Sequence, residues 1–247
     1  MIIWYTFRRV NPGTEAMKMS HTTHVIKLGG VNCYLVEGSD RFLLIDTGFS
    51  RRRSKLVAAL DRAGCTPASS TLVVITHGDF DHAGNAAFLK ARYGAPIAMH
   101  SADFGMVEHG SMSVNRKARP DSMSTFLKLM TPVMGAVTRQ KTFETFTPDL
   151  ALDDGDDLST YGFDARIVHL PGHSKGSIGV LTGDGELFCG DLLYNLPGFR
   201  FIDDAADHAA SVKKVQAINP RVVYPGHGRA MSRGWGASVP KEVHGGS

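Results

Sequence analysis

The feature that most constrains this chain is a short apolar run ending in a cluster of ligand-type side chains. Leu72-Val73-Val74-Ile75 is apolar throughout, which predicts a strand buried on both faces. His77-Gly78-Asp79-Phe80-Asp81-His82 follows at once. Alternation along extended chain places His77, Asp79 and Asp81 on one side, and His82 opens the next helix. Four ligand-type residues in six positions is not how a loop solvates itself. The competing reading is a polar turn in which Asp81 caps a helix from Ala83. Three more segments argue against it: Pro171-Gly172-His173, Gly190-Asp191 and Pro225-Gly226-His227. Each falls at the predicted C-terminal end of a strand or in the turn after it, where rigid strands aim their turns at a common point. The seven candidate ligands are His77, Asp79, Asp81, His82, His173, Asp191 and His227. That is too many for one ion and suits two held close together.

The rest of the chain supplies a scaffold of strands and helices. Residues 1–22 read as a poorly ordered arm, 23–235 as a single domain and 236–247 as a flexible tail. Strands are predicted at His24–Leu28, Cys33–Glu37, Phe42–Asp46, Leu72–Ile75, Pro96–His100, Leu150–Leu152, Asp164–Leu170, Ile178–Thr182, Glu186–Cys189 and Arg221–Tyr224. Gly183-Asp184-Gly185 reads as a hairpin turn. Helices are predicted from a Ser50 cap to about Ala63, over Ala83–Tyr93 and over Ala205–Ile218. Residues 101–148 break this rhythm: they are rich in methionine and patchily basic, with a helix expected over Met123–Val137. Both halves run through strands and a helix to a strand that ends at a histidine. The pattern predicts an α+β domain of two similar halves, two sheets with helices outside them.

Composition removes several classes. Of 247 residues, 43% are apolar, enough for a substantial core. Lys and Arg number 27 against 24 Asp and Glu, and Arg51-Arg52-Arg53 is the only run of like charge. That balance does not suit a nucleic-acid binder. Three cysteines make no disulfide framework. No apolar stretch approaches the ~18 residues of a membrane span. MIIWYTFRRV has its apolar residues before its arginines, the reverse of a secretory signal. The expectation is a cytoplasmic protein, monomer or homodimer, acting on a small molecule and not on nucleic acid or a membrane.

The seven ligand-type residues resemble the metallo-β-lactamase superfamily, whose pattern is H-x-H-x-D-H followed by a distant His, an Asp and a last His. The resemblance spans roughly residues 23–230. It includes Leu44-Ile45-Asp46-Thr47-Gly48 and Pro171-Gly172-His173-Ser174-x-Gly176-Ser177. It implies a four-layer αββα sandwich with a dinuclear site at one edge. His77, Asp79 and His173 would hold one ion, and Asp81, His82 and His227 the other. Asp191 would bridge them, a hydroxide would lie between, and Asp46 would orient the site loop. The departure is Asp79, where the family has its second histidine. A carboxylate ligand raises iron and manganese relative to zinc, which otherwise leads. The flavodiiron branch has a glutamate there, but usually carries a flavodoxin-like domain for which this chain has no room.

Two bound cations activate water and polarise an acyl or phosphoryl oxygen. The implied activity is hydrolysis of an ester-like bond: a lactone, thioester or related acyl substrate. Alternatives are a non-haem di-iron redox protein and a phosphodiesterase or nuclease of the same superfamily. Asp81 and Asp191 are the catalytic candidates. Tyr194, three residues after Asp191, is a candidate donor or else a core or surface tyrosine. Lys175 could steer an anionic substrate, although a solvated lysine is the plainer reading. His100 reads as structural or orienting. His21, His24, His109, His169, His208 and His244 lack ligand-like neighbours in sequence. Phe104, Met106, Phe126, Met130 and Met134 could wall a substrate lid, but methionine stripes more often bury a core face.

Overall fold

Two sheets carry the chain in a computed structural model that describes residues 21–124, 143–193 and 201–232. The first is built from β1 (Thr22–Lys27), β2 (Asn32–Glu37), β3 (Arg41–Ile45), β4 (Ser70–Val74), β5 (Ile97–Met99) and β7 (Leu150–Ala151), in that spatial order. β6 (Ser122–Met123) pairs instead with β11 (Phe201–Ile202) in a small ribbon. The second sheet has the order β13 (Met231–Ser232), β12 (Val222–Tyr224), β10 (Glu186–Phe188), β9 (Ile178–Thr182), β8 (Ala165–His169). Among the described residues the α-helices are α1 (Arg53–Arg62), α2 (Phe80–Ala83), α3 (Ala86–Tyr93), α4 (Phe104–His109) and α5 (Ala205–Ile218).

Strand alternation explains the layers. Successive side chains point to opposite faces, so a strand buried on both faces feeds two cores. Tyr34, Val36, Leu43, Ile45, Leu72 and Val74 of the first sheet pack with Ile167, Ile178, Val180 and Phe188 of the second. Their neighbours Cys33, Leu35, Phe42, Leu44, Val73 and Ile75 face outward against Leu56 and Leu60 of α1 and Ala86 and Leu89 of α3. On the far side Val168, Leu181, Leu187 and Val223 meet Val215 of α5. Helix, sheet, sheet, helix is the αββα sandwich. Leu72–Ile75 is buried throughout, as its composition predicts.

β3, β4 and β5 run parallel. In the second sheet β10 is parallel to β12 and antiparallel to β9, and β9 is antiparallel to β8, so β8, β10 and β12 share one direction. Their C-terminal ends reach the same molecular edge.

The structure corrects several boundaries. Ser50 does not cap α1: it opens a 3₁₀ turn, Ser50–Arg52, and its hydroxyl donates to the Gly84 carbonyl at 2.7 Å. The single helix expected over Ala83–Tyr93 is two, α2 and α3, broken at Asn85. There the side-chain amide donates to the carbonyls of Thr47, Gly48 and Phe49 at 2.7–3.2 Å. Asp81 lies inside α2, and Asp79 holds its N-cap position. Met123 belongs to β6, and residues 125–137 of the expected helix lie outside the described residues. Thr22, placed in the arm by sequence, already belongs to β1. Among the described residues no helix is long and apolar enough to cross a membrane.

Candidate metal centre

All seven predicted ligands meet at the shared edge. His77 follows β4; Asp79, Asp81 and His82 lie at and within α2. His173 follows β8, Asp191 follows β10 and His227 follows β12. The ligand atoms of His77, Asp79 and His173 lie within 4.8 Å of one another, as do those of Asp81, His82 and His227, and those of His77, His82 and Asp191. These are the two ligand sets the resemblance implies, and Asp191 lies between them. Its Oδ2 is 3.2 Å from His227 Nε2 and 4.0 Å from His173 Nε2, and its Oδ1 is 3.3 Å from His82 Nε2.

The four histidines are oriented alike, each by a partner on Nδ1. His82 Nδ1 donates to the Asp46 carboxylate at 2.8 Å, His173 Nδ1 to the Phe201 carbonyl at 3.0 Å, and His227 Nδ1 to the Gly30 carbonyl at 2.7 Å. His77 Nδ1 lies 3.0 Å from the Thr76 hydroxyl, whose own proton goes to Asp46, so that oxygen accepts. With Nδ1 engaged outward in every case, the Nε2 atoms face the centre. Asp46 has φ +61°, rare outside glycine. The strain is held by its bonds to the Thr76 amide and hydroxyl and to His82.

The edge loops are fastened to each other. The Asn32 amide donates to the Pro225 and Gly228 carbonyls, each at 3.0 Å, and the Tyr34 hydroxyl donates to Pro225 at 2.6 Å. Asp103, buried after β5, accepts from the Gly78 amide, the Ser174 hydroxyl and the Gly176 amide at 3.1, 2.6 and 2.9 Å. It ties the His77 loop to the His173 loop. Gly226 is required by crowding: a Cβ there would collide with Asp191 Oδ1 and come within 2.6 Å of His82 Cε1.

The electrostatics follow from so many charges in a dry space. Burial would raise the Asp191 carboxyl, but His227 and His82 hold it well below the usual range. Burial would lower His227, yet Asp191 and Asp81 push it up to about 10, and Asp191, Asp46 and Asp81 raise His82 in the same way. His77 is lowered, by burial first and then by His82 and His173. Two buried atoms at the centre, His77 Nε2 and Asp191 Oδ1, have no hydrogen-bond partner among the described residues. Imidazole and carboxylate donors converging in this way fit a divalent cation.

One residue at the centre has no counterpart in the sequence reading. Arg116, from the segment between α4 and β6, places Nη2 2.6 Å from Asp79 Oδ1 and 3.4 Å from His173 Nε2. Its guanidinium lies 4.7 Å from the Phe201 ring centre, and the side chain is 6% exposed. Burial works to raise the Asp79 carboxyl; Arg116 foremost, then His173 and His77, keep it well below its ordinary range. The one available signal was Asp79 itself, an extra negative charge in a motif that normally has an imidazole.

The remaining candidates sort simply. Tyr194 lies outside the described residues, as do Phe126, Met130, Met134 and His244. Met106 is fully buried and Phe104 packs on the core, so both serve the fold. Lys175 is exposed, and its carbonyl accepts from His169 Nε2 at 2.9 Å. His100 caps a 3₁₀ turn by accepting from the Ala102 amide and stacks on His169 at 4.2 Å. His24 pairs with Glu37 at 2.8 Å; His109 and His208 bond to the carbonyls of Gly105 and Leu192. His21 does have acidic neighbours, contrary to expectation: Glu186 at 3.2 Å and Asp184 at 3.8 Å. Glu186 also accepts from Thr23, Arg221 and Tyr224, so this is a satisfied buried carboxylate.

Known proteins place the chain. An acyl-coenzyme A thioesterase, MBLAC2 of Bos taurus, is 31% identical over 219 residues, covering 79% of this chain and 72% of that one. An atrochrysone carboxyl ACP thioesterase of Aspergillus fumigatus is 26% identical over 211 residues. That match covers 83% of this chain and 53% of the relative, so the chain spans about half of it. The solved metallo-β-lactamase family protein TTHA1429 of Thermus thermophilus superposes with a TM-score of 0.65 at 21% identity, over 86% of this chain and 75% of its own, a likeness of fold. Residues 26–227 match the family model described as the metallo-beta-lactamase superfamily. With the ligand constellation at the expected edge of the expected sandwich, the chain belongs to the metallo-β-lactamase superfamily of metallohydrolases.

Proposed function

We propose that this chain hydrolyses thioesters, or closely related acyl esters such as lactones, with the help of a bound divalent metal ion. The observation that carries the reading is the convergence of four Nε2 atoms and three carboxylates at one edge. The thioesterase relatives supply the substrate class. Asp81, His82, His227 and Asp191 would hold an ion, zinc foremost, with iron and manganese the alternatives. Such an ion lowers the pKa of water toward about 7 and polarises an acyl oxygen. His77, Asp79 and His173 form the second ligand set, which in a dinuclear site would hold the other ion.

The chain's own residues then orient and ionise. Asp46, Thr76, Gly30 and Phe201 fix the four imidazoles through Nδ1. Asp81 would be raised by burial, but His82 and His227 lower it, so its carboxylate stays ionised to accept a hydrogen bond from the attacking water. The test is a panel of acyl-coenzyme A and other thioesters, lactones and phosphodiesters, run with and without chelator. Thioester turnover should vanish with chelator and in Asp191→Asn and His82→Ala, and return to the wild type when metal is restored. Turnover indifferent to chelator, or confined to phosphodiesters, would overturn the proposal.

A further inference from the structure

We propose that Arg116 takes the place of the first metal ion, so that this chain binds one divalent cation, at Asp81, His82, His227 and Asp191, and uses a guanidinium as its second cation. The inference rests on the metal-dependent reading above and narrows it.

Geometry comes first. A divalent ion needs its nitrogen and oxygen donors at about 2.0–2.2 Å. Arg116 Nη2 lies 2.6 Å from Asp79 Oδ1 and 3.4 Å from His173 Nε2, while Asp79 Oδ2 faces His77 Nε2 and His173 Nε2 at 3.6 and 3.0 Å. An ion there would have to share its only carboxylate with a guanidinium, with like-charge repulsion in a buried space.

Charge points the same way. Asp79 is the single carboxylate of the His77, Asp79 and His173 set, and Arg116 already balances it. A divalent ion added to that set would bring unbalanced positive charge into a buried space, a costly arrangement. Asp79 is thus explained as the anionic partner of Arg116, where an imidazole could not hold a guanidinium.

The arginine is delivered by structure and not by a loose side chain. Asn115, at φ +62°, turns the backbone immediately before it and donates to the Ala102 carbonyl at 3.1 Å. Immediately after it the Lys117 amide donates to both oxygens of Asp203, at 3.1 and 3.3 Å, and Lys117 Nζ pairs with Asp121 and Asp204 at 3.0 and 2.9 Å. After it the segment pairs, as β6, with β11, whose Phe201 carbonyl holds His173 Nδ1. Arg116 Nε and Nη1 are buried and lack hydrogen-bond partners among the described residues, leaving donors for an acyl oxygen as charge develops on it.

The experiment is a cobalt(II) titration of metal-free protein, followed by visible absorption, with elemental analysis after desalting. Wild type should saturate at one equivalent. Arg116→Met, and Asp79→His combined with Arg116→Ala, should each saturate at two; circular dichroism checks the fold. Thioester kcat in Arg116→Met should fall about 100-fold or more, the scale of losing an oxyanion donor. Two equivalents in wild type overturn this inference and leave the hydrolase reading intact. So does one equivalent in a folded double variant. No bound metal in wild type overturns both.

Discussion

Asp46 shows how one residue can serve a site it does not enter. Its backbone is held in the left-handed region, and its carboxylate reaches Thr76 and His82. Replacing it with alanine removes the acceptor that aims His82 Nε2 at the centre. Metal affinity in Asp46→Ala should drop roughly 10–100-fold, the usual effect of losing such a partner. Competition with a colorimetric chelator measures it, and unchanged affinity would mean that His82 needs no anchor. At this scale the sequence was legible wherever ligand-type residues clustered after an apolar run. Arg116 was not, because its meaning comes from Asp79, 37 residues away, and nothing in its own neighbourhood repeats or pairs.

At the scale of elements, legibility followed length and period. α5 and β9 match the expected boundaries at both ends. The Asp204 side chain caps α5 by accepting from the Ala206 and Asp207 amides, a signal short-range in sequence. β6 and β11 have two residues each, too short to show a period, and they find each other across the chain. The break at Asn85 was hidden for a related reason: its amide is spent on Thr47, Gly48 and Phe49, far away in sequence. Asp103 is the counterpart between loops, joining the turn after β4 to the turn after β8. Asp103→Ala leaves buried donors without an acceptor and should cost about 3 kcal/mol, near the upper end for an unsatisfied buried group. Urea unfolding of the metal-free protein reads this directly; a loss under about 0.5 kcal/mol, the scale of an ordinary surface change, would rule out the tie.

For the whole molecule, the two sheets bring one edge of ionisable groups into a dry space, and pH acts on all of them together. His227 has its folded pKa raised to about 10 from the ordinary 6.5. Without metal, the folded chain therefore holds a proton that the unfolded chain gives up. That contribution is complete below pH 6.5 and is lost as pH climbs toward 10. A metal ion competes for the same nitrogen, so its stabilising effect should grow over that range. Melting temperatures with chelator and with metal, taken from pH 6.5 to about 9.5, should diverge steadily. A metal-induced increment that stays flat with pH would contradict this.

Each imidazole of the site is gripped from behind, on the nitrogen that faces away from the centre. Many small metal domains fold only around their ion, so that losing it means losing the chain's shape. Here the grips are made by the protein's own groups, so the aim of each imidazole is set by the fold, and an arriving ion would meet donors already pointed at it.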